Sequence, residues 1–381
     1  MINSKNAIVF VSPNIKKDGA EKSLVALQVY LNKTGINTLV IIPKHGEIEE
    51  LFKENNVNYA IHNFVGSVNA GRGTKIIRGL VKYLINRLEA KKLKKILHKK
   101  TNNIIGVHSN TITSDFGHYL ALELNIPHIW HIREFGKLDF NFDFELGMKY
   151  MKHCTDKATK IVCNSKAVAD YYEQYFDKTK ITYVHNGVPI KEKCENNWKD
   201  DIFKMVLIGR LSKEKGQELA IEACNTLNNE GYSNFVLDLY GSGIDEERLK
   251  IMINKYNLTD KVFLKGYCSN IPVNEYHVGL MCSHHEAFGR VTIEYMMNAI
   301  PVVGVNMGGT AEIIEDEVTG ILFNIDDKDS FVNALKRLYK DRNLCIEMGI
   351  KGRKRAEKLF SEETYCNNIL KIYNEVLFNK E

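Results

Sequence analysis

The chain has 381 residues, 44% hydrophobic and 26% charged, an ordinary globular composition but too long for one core, so two domains are expected. Its eight cysteines are scattered, the nearest two being Cys154 and Cys163, and no Cys-x-x-Cys occurs, which argues against a zinc ribbon or redox dithiol and for reduced thiols. Net charge is +5 but uneven: residues 75–100 hold ten Lys/Arg and one Glu, a segment charge of +9 against −4 for the remainder.

In chain order, "AIVFVS" (7–12) is the first strand candidate. It is too short for a signal-peptide core or a membrane span, and no other segment approaches spanning length, so a cytoplasmic location is expected. A helix over 20–33 follows, then strands at 37–42 and 58–62. The basic segment 75–100 comes next. Ile77, Leu80, Val81, Leu84 and Leu88 recur along it at helical spacing, which makes it a basic amphipathic helix. Three readings stay open. The helix packs by its apolar stripe and solvates its lysines. Alternatively it docks on anionic lipid headgroups, peripherally at the inner face of a membrane, or on an acceptor carrying a diphosphate. Nucleic acid is disfavoured, because aromatic interleaving is missing and the rest of the chain is acidic.

Strands are expected at 103–108, 127–132 and 160–164, with a helix at 113–124. Polar and turn residues cluster at 185–201, the expected join between domains 1–187 and 188–361. The second half repeats the alternation, with strands at 203–209, 235–241, 261–266, 278–282 and 301–305. A last helix, 362–379 within the terminal segment 362–381, carries Tyr365, Ile369, Ile372, Tyr373 and Val376 on one stripe and can pack back on either domain. Short β-branched runs alternating with amphipathic runs predict an α/β fold with two mostly parallel sheets.

Ligands of such sheets lie beyond the carboxyl ends of the strands. Glycine stands at five of these ends in the second half, in "GRLSKEKG" (209–216), "GSG" (241–243), "GYCSN" (266–270), "SHHEAFGR" (283–290) and "NMGGT" (306–310). A helix starting near Gly289, Arg290 and Val291 would offer free N–H groups to an anion. Arg210 and Lys215 add two positive charges from a neighbouring loop, together a site for a diphosphate. In "EAFGRVTIE" two carboxylates stand eight apart, too far round a continuous helix to share a face. Glu286 therefore belongs to the loop, where it can accept hydrogen bonds from a sugar, and Glu294 to the helix, where it can accept them from a ribose diol. Read singly, Glu286 is a helix cap, and Arg210 and Lys215 are surface partners of Glu214 or Glu218. Taken together they favour a nucleotide-sugar site.

The stretch 203–323 resembles the family 4 (group 1) retaining glycosyltransferases of the GT-B fold, through "GRLSKEKG", "EAFGRVTIE", "MMNAIPVVGVNMGG" and "TAEIIEDEVTGILF". The first half resembles them through "GAEKSLVAL" (19–27) and "WHIREF" (130–135), with Ala20 where the family often has a second glycine. The resemblance implies two Rossmann-like α/β/α domains facing each other across a donor/acceptor cleft, with the acceptor side in 1–187 and the nucleotide sugar in 188–361. It implies that Arg210 and Lys215 bind the diphosphate, Glu294 the ribose and Glu286 the donor sugar. Backbone from Phe288 through Gly289 and Arg290 to Val291 would contact sugar and phosphates, and backbone near Tyr267 and Cys268 the base. Gly19 would meet the donor phosphates, and His131 would lie near the reacting carbon. The implied partners are a nucleotide-sugar donor, UDP first, and a glycan or lipid-linked acceptor.

No metal is implied. Asp327-x-Asp329 directly precedes a helix, where capping explains it, and the spacing of His128 and His131 turns them to opposite faces of a strand. Two other classes share the fold. They are a nucleotide-sugar epimerase and a catalytically silent subunit that binds acceptor for another enzyme. A silent subunit is expected to lose the charged donor contacts that this chain keeps. A dinucleotide oxidoreductase is disfavoured because no Gly-x-Gly-x-x-Gly follows the first strand.

Overall fold

Strands buried on both faces need helices above and below, and both halves of the chain meet that need with parallel sheets. The computed structural model describes residues 6–71, 73–100, 103–192, 198 and 201–378. It divides into two units, 1–187 with 362–381, and 188–361. Part of the polar stretch at 185–201, residues 193–197 and 199–200, lies outside the described residues.

In the first unit the strands are β1 (Ala7–Val11), β2 (Asn37–Ile42), β3 (Tyr59–Ile61), β4 (Val68–Ala70), β5 (Ile104–Ser109), β6 (His128–Ile132), β7 (Phe142–Phe144), β8 (Lys160–Cys163) and β9 (Ile181–Tyr183). Seven form one parallel sheet in the order β3-β2-β1-β5-β6-β8-β9, while β4 and β7 pair separately and antiparallel. All five residues of β1 are buried. Its alternation sends Ile8 and Phe10 to one core with Leu24, Leu27 and Tyr365, and Val9 and Val11 to another with Phe116 and Leu120. The order reverses between β1 and β5, which opens a crevice at their carboxyl ends.

The second unit has β10 (Phe203–Ile208), β11 (Phe235–Tyr240), β12 (Val262–Gly266), β13 (Val278–Met281), β14 (Val302–Val305) and β15 (Gly320–Phe323). All run parallel in the order β12-β11-β10-β13-β14-β15, and the reversal falls between β10 and β13. Four of the strands, β4, β7, β9 and β15, lie outside the sequence expectation. Three are only three residues long, and β15 opens on glycine, so none presents a run that periodicity can detect.

The basic helix, Ile76–Lys100, closes one of the open readings. Its apolar stripe does not face the sheet: Ile77, Leu80, Val81, Leu84 and Leu88 are exposed. The packed face is Asn86, Ala90, Leu93 and Leu97, the last three joining Phe64, Phe116 and Leu120. Asn86 sets this rotation. Its amide nitrogen donates to the Val65 carbonyl and to Asp115, and its oxygen accepts from Val65 N at 2.9 Å. Turning the helix to bury the leucines would leave those buried polar groups unpaired, at about 1–3 kcal/mol each. Lys82 on the same side reaches the buried Glu145 at 2.8 Å.

The last helix, Glu362–Tyr373, packs on the helix Gly19–Lys33 and belongs to the first unit. Two buried hydroxyls tie it down. Tyr373 Oη lies 2.7 Å from His108 Nδ1, and Tyr365 Oη accepts from Arg133 Nη2 at 3.0 Å. Tyr365→Phe keeps the packing but leaves a buried guanidinium N–H unmet. Equilibrium urea unfolding is expected to show a loss of about 1.5–3 kcal/mol with unchanged m-value.

Candidate functional site

In the second unit, two loops diverge where the strand order reverses. The chain leaves β10 through Gly209-Arg210-Leu211-Ser212, makes a short 3-10 turn at Lys213–Lys215 and enters the helix Gln217–Asn229 through Gly216. Gly216 has φ +69°, and a Cβ there would stand 2.1 Å from the carbonyl oxygen of Cys282, on the loop after β13. Only glycine lets the two loops touch backbone to backbone at this point. His284 N donates to the Glu214 carbonyl at 3.1 Å and closes the same contact.

The loop after β13 runs through Glu286 and Phe288 to Gly289, which stands at the N-cap of the helix Arg290–Met297 with φ +96°. The N-cap residue is a glycine and brings no side chain of its own, and the Glu286 carboxylate is engaged by Lys215. The dipole of this helix favours an anion at its N-terminus. The same helix is anchored from below. Tyr295, fully buried, accepts from Ile208 N at 2.9 Å and donates to the Val206 carbonyl at 3.3 Å, binding the helix to β10.

The four charged residues expected for the donor sit on these two loops and this helix. Lys215 Nζ lies 2.7 Å from Glu286 Oε2, and Arg290 Nε lies 3.3 Å from Glu294 Oε1. Glu286 therefore belongs to the loop and Glu294 to the helix, each with its own cation. Arg210 is exposed beside them, and Glu218, offered above as a surface partner, is instead paired with Arg248. Phe288 and Gly289 are buried, whereas Arg290, Val291 and Glu294 are half-buried. Gly309 N donates to the Glu286 carbonyl at 2.8 Å, so the "NMGG" loop after β14 supports Glu286 from behind. That role was legible only as a pair of glycines.

Tyr267 and Cys268 are exposed just past β12, two strands from β10 and so about 10 Å along the sheet. Gly241 N donates to the Gly266 carbonyl at 2.9 Å and joins the ends of β11 and β12.

The first unit has its own polar cluster at the carboxyl ends of β1, β5 and β6. Gly19 is the first residue of the helix after β1, and Glu21, two residues further on, is buried. Glu21 accepts from Ser12 Oγ at 3.1 Å and from Asn14 Nδ2 at 2.9 Å. Burial, reinforced by the charge of Asp18, pushes its carboxyl up to about 7. Sequence reasoning passed over Glu21, although it stands inside "GAEKSLVAL". Arg133 donates to Asn110 Oδ1 at 2.9 Å and to Asn186.

His131 lies on β6 with no exposed surface, 3.3 Å from Arg133 by Nδ1, and its Nε2 finds no hydrogen-bond partner among the described residues. Burial, then the Arg133 charge, holds it well below the ordinary histidine range, so the ring is neutral. His128 sits on the same strand bonded to Ser109. Among the described residues, no three His, Cys, Asp or Glu side chains are grouped as a metal site.

Two family models match successive parts of the chain. "Glycosyltransferase Family 4" matches residues 17–192, and "Glycosyl transferases group 1" matches residues 190–355. A glycosyltransferase of Methanocaldococcus jannaschii, itself uncharacterized, is 26% identical over 330 residues, 85% of this chain and 88% of the relative. The UDP-Gal:alpha-D-GlcNAc-diphosphoundecaprenol alpha-1,3-galactosyltransferase of Escherichia coli is 25% identical over 314 residues, 76% of this chain and 79% of the relative. With other relatives the match spans about half of their length. Among solved structures, Anabaena HepE in complex with UDP superposes with a TM-score of 0.79 at 18% identity, covering 97% of this chain and 100% of that one. At that identity the likeness establishes the fold.

Glu134 offers a test of the buried cluster. It accepts from Ile112 N at 2.9 Å and from Arg133 N at 3.1 Å, and burial raises its carboxyl to about 8. A folded-state pKa above the unfolded one means that the folded protein binds the extra proton, so this contribution is lost as pH rises from about 4.5 through 8. Glu134→Gln cannot titrate. Measured by urea unfolding, its stability relative to the parent should improve steadily from pH 5 to pH 8, by an amount on the order of 4 kcal/mol, and level off above.

Proposed function

The chain belongs to the group 1, family 4 glycosyltransferases of the GT-B fold, and on that premise we propose that it moves a sugar from a nucleoside-diphosphate sugar to a hydroxyl acceptor, with retention at the anomeric carbon and without a metal. The observation that carries this reading is the pair of ion pairs, Lys215–Glu286 and Arg290–Glu294, at the glycine-led N-terminus of the helix Arg290–Met297.

The ion pairs suggest how the donor is taken up. A diphosphate brings two charges that compete with Glu286 for Lys215. The phosphate gains Lys215, Arg210 and the helix N–H groups, and Glu286 is released to accept hydrogen bonds from the sugar hydroxyls. Glu294 receives the ribose diol, and the exposed backbone near Tyr267 and Cys268 meets the base. As the glycosidic bond breaks, negative charge grows on the leaving phosphate oxygen. Fixed cations and the helix dipole stabilise it there without reorganising. The leaving group departs on the face that the acceptor attacks and takes the acceptor's proton, which gives retention without a protein nucleophile.

From the N-terminal unit we assign Gly19, which is exposed, to the donor phosphates, and a neutral His131, covered and held by Arg133, to a positioning role behind the reacting sugar. UDP as the nucleotide is favoured by the names of the Escherichia coli relative and the Anabaena neighbour. A glycan or lipid-linked acceptor in surface-polysaccharide assembly on the cytoplasmic side is favoured by the diphosphoundecaprenol in the former.

Two experiments test the assignment. A screen of UDP- and GDP-sugars for donor hydrolysis selects the donor, and Lys215→Ala is then expected to lower turnover by about 10²–10³, the scale of one lost contact to developing charge. The parent rate should survive excess EDTA. Near-normal turnover of a folded Lys215→Ala variant, or an EDTA loss restored by Mg²⁺, would overturn it.

The two carboxylates should separate. Glu294→Gln is expected to weaken free nucleoside diphosphate, since a ribose contact is present in ground and transition states alike. Glu286→Gln should leave that affinity unchanged or tighten it, because Lys215 is freed for phosphate, and should depress turnover. Calorimetry beside rate assays decides; equal losses of nucleotide affinity in both variants contradict the split.

A further inference from the structure

We propose that the helix Ile76–Lys100 inserts its exposed apolar stripe into an anionic lipid surface. The stripe is built of Ile77, Leu80, Val81, Leu84 and Leu88, which are 83%, 49%, 53%, 55% and 57% exposed. At about 100° per residue these five fall within an arc of about 100° on one face. They are not exposed by fraying, because the opposite face, Asn86, Ala90, Leu93 and Leu97, is locked to the helix Phe116–Leu124 and to the Val65 loop. Two further turns continue the same face with Lys91 and Lys95, both exposed. The stripe is flanked by exposed Arg87 and Lys92, while Arg78 is held by the buried Glu145 at 3.1 Å. Along the whole helix the one acidic residue is Glu89, which is engaged by His62 and Lys92.

A row of large apolar side chains leading into cations, on a helix held by its opposite face to a neighbouring helix, has the chemistry of an interfacial anchor. The apolar turns enter the acyl boundary, and Lys91 and Lys95 meet anionic headgroups. Charge chooses this occupant over a second copy docked through the same helix face, which would set Arg87, Lys91 and Lys95 against their own counterparts while Glu89 is already engaged. No helix among the described residues is long and apolar enough to cross a membrane, so the attachment is peripheral. The inference is independent of the nucleotide-sugar reading, since lipid binding is measured without substrate.

The test uses the full chain and vesicles of phosphatidylcholine alone or with phosphatidylglycerol, sedimented at low and high salt. The parent is expected to sediment with phosphatidylglycerol vesicles, to be weakened by salt and to keep a residual bound fraction, because screening removes headgroup attraction and leaves apolar insertion. Leu84→Glu with Leu88→Glu should lower partitioning at least about tenfold at both salts. Lys91→Glu with Lys95→Glu should lower it chiefly at low salt. Neither pair should shift the melting temperature, and Val81→Gln with Leu88→Gln repeats the apolar test without adding charge. The proposal is overturned if the parent ignores phosphatidylglycerol vesicles, or if the stripe variants bind like the parent. It is equally overturned if light scattering shows a parent dimer that the stripe variants split.

Discussion

Everything in the candidate donor site depends on one contact between two backbones, Gly216 against the carbonyl of Cys282. The loops after β10 and β13 leave neighbouring parallel strands in opposite directions, and without that contact they would diverge into solvent. Held together, they bring Lys215 to Glu286 across 71 positions of sequence. Tyr295 then ties the Arg290 helix to β10 through two backbone bonds, so the helix terminus, the cations and the carboxylates share one rigid frame. Precision of this kind is what electrostatic stabilisation of a leaving group requires, because a donor that must first reorient returns part of its benefit as reorganisation.

The same frame explains why two acids stand among cations meant for a dianion. A diphosphate site left empty would concentrate positive charge in a half-buried pocket. Lys215 and Arg290 are instead neutralised by Glu286 and Glu294 until a ligand competes for them. Partly exposed pairs of this sort contribute little to stability on their own. Their value lies in holding side chains in position and in being exchangeable, and the two acids have separate partners because one is in the loop and the other about one turn into the helix.

In the first unit, polar groups are buried for a different purpose. Arg133 binds Asn110 from β5's loop, Asn186 near the end of the segment and Tyr365 on the last helix, so one guanidinium gathers three distant stretches of chain. Its charge also helps to keep His131 and His108 neutral. Asn86 plays the corresponding role for the basic helix, where one buried amide with three hydrogen bonds, together with Ala90, Leu93 and Leu97, chooses which face packs.

The sequence by itself determined the α/β alternation, eleven strands, and the Arg210, Lys215, Glu286 and Glu294 constellation. These follow from local pattern, since β-branched runs, strand-end glycines and the order of charged motifs are all written within short windows. The separate placement of Glu286 and Glu294 was also legible, because eight steps of a helix do not return to one face. What only the tertiary structure decided were relations between windows. Short strands such as β9 and β15 exist because a neighbour offers a partner, not because their own residues demand it. The partners of Lys215 and Arg290, the support of Glu286 by Gly309, and the burial of Glu21 and His131 depend on which strands become neighbours. The rotation of the Ile76–Lys100 helix is the sharpest instance. Periodicity identified its apolar stripe but left open whether it faces the core, and a buried asparagine with three hydrogen bonds packs the opposite face and leaves the stripe at the surface.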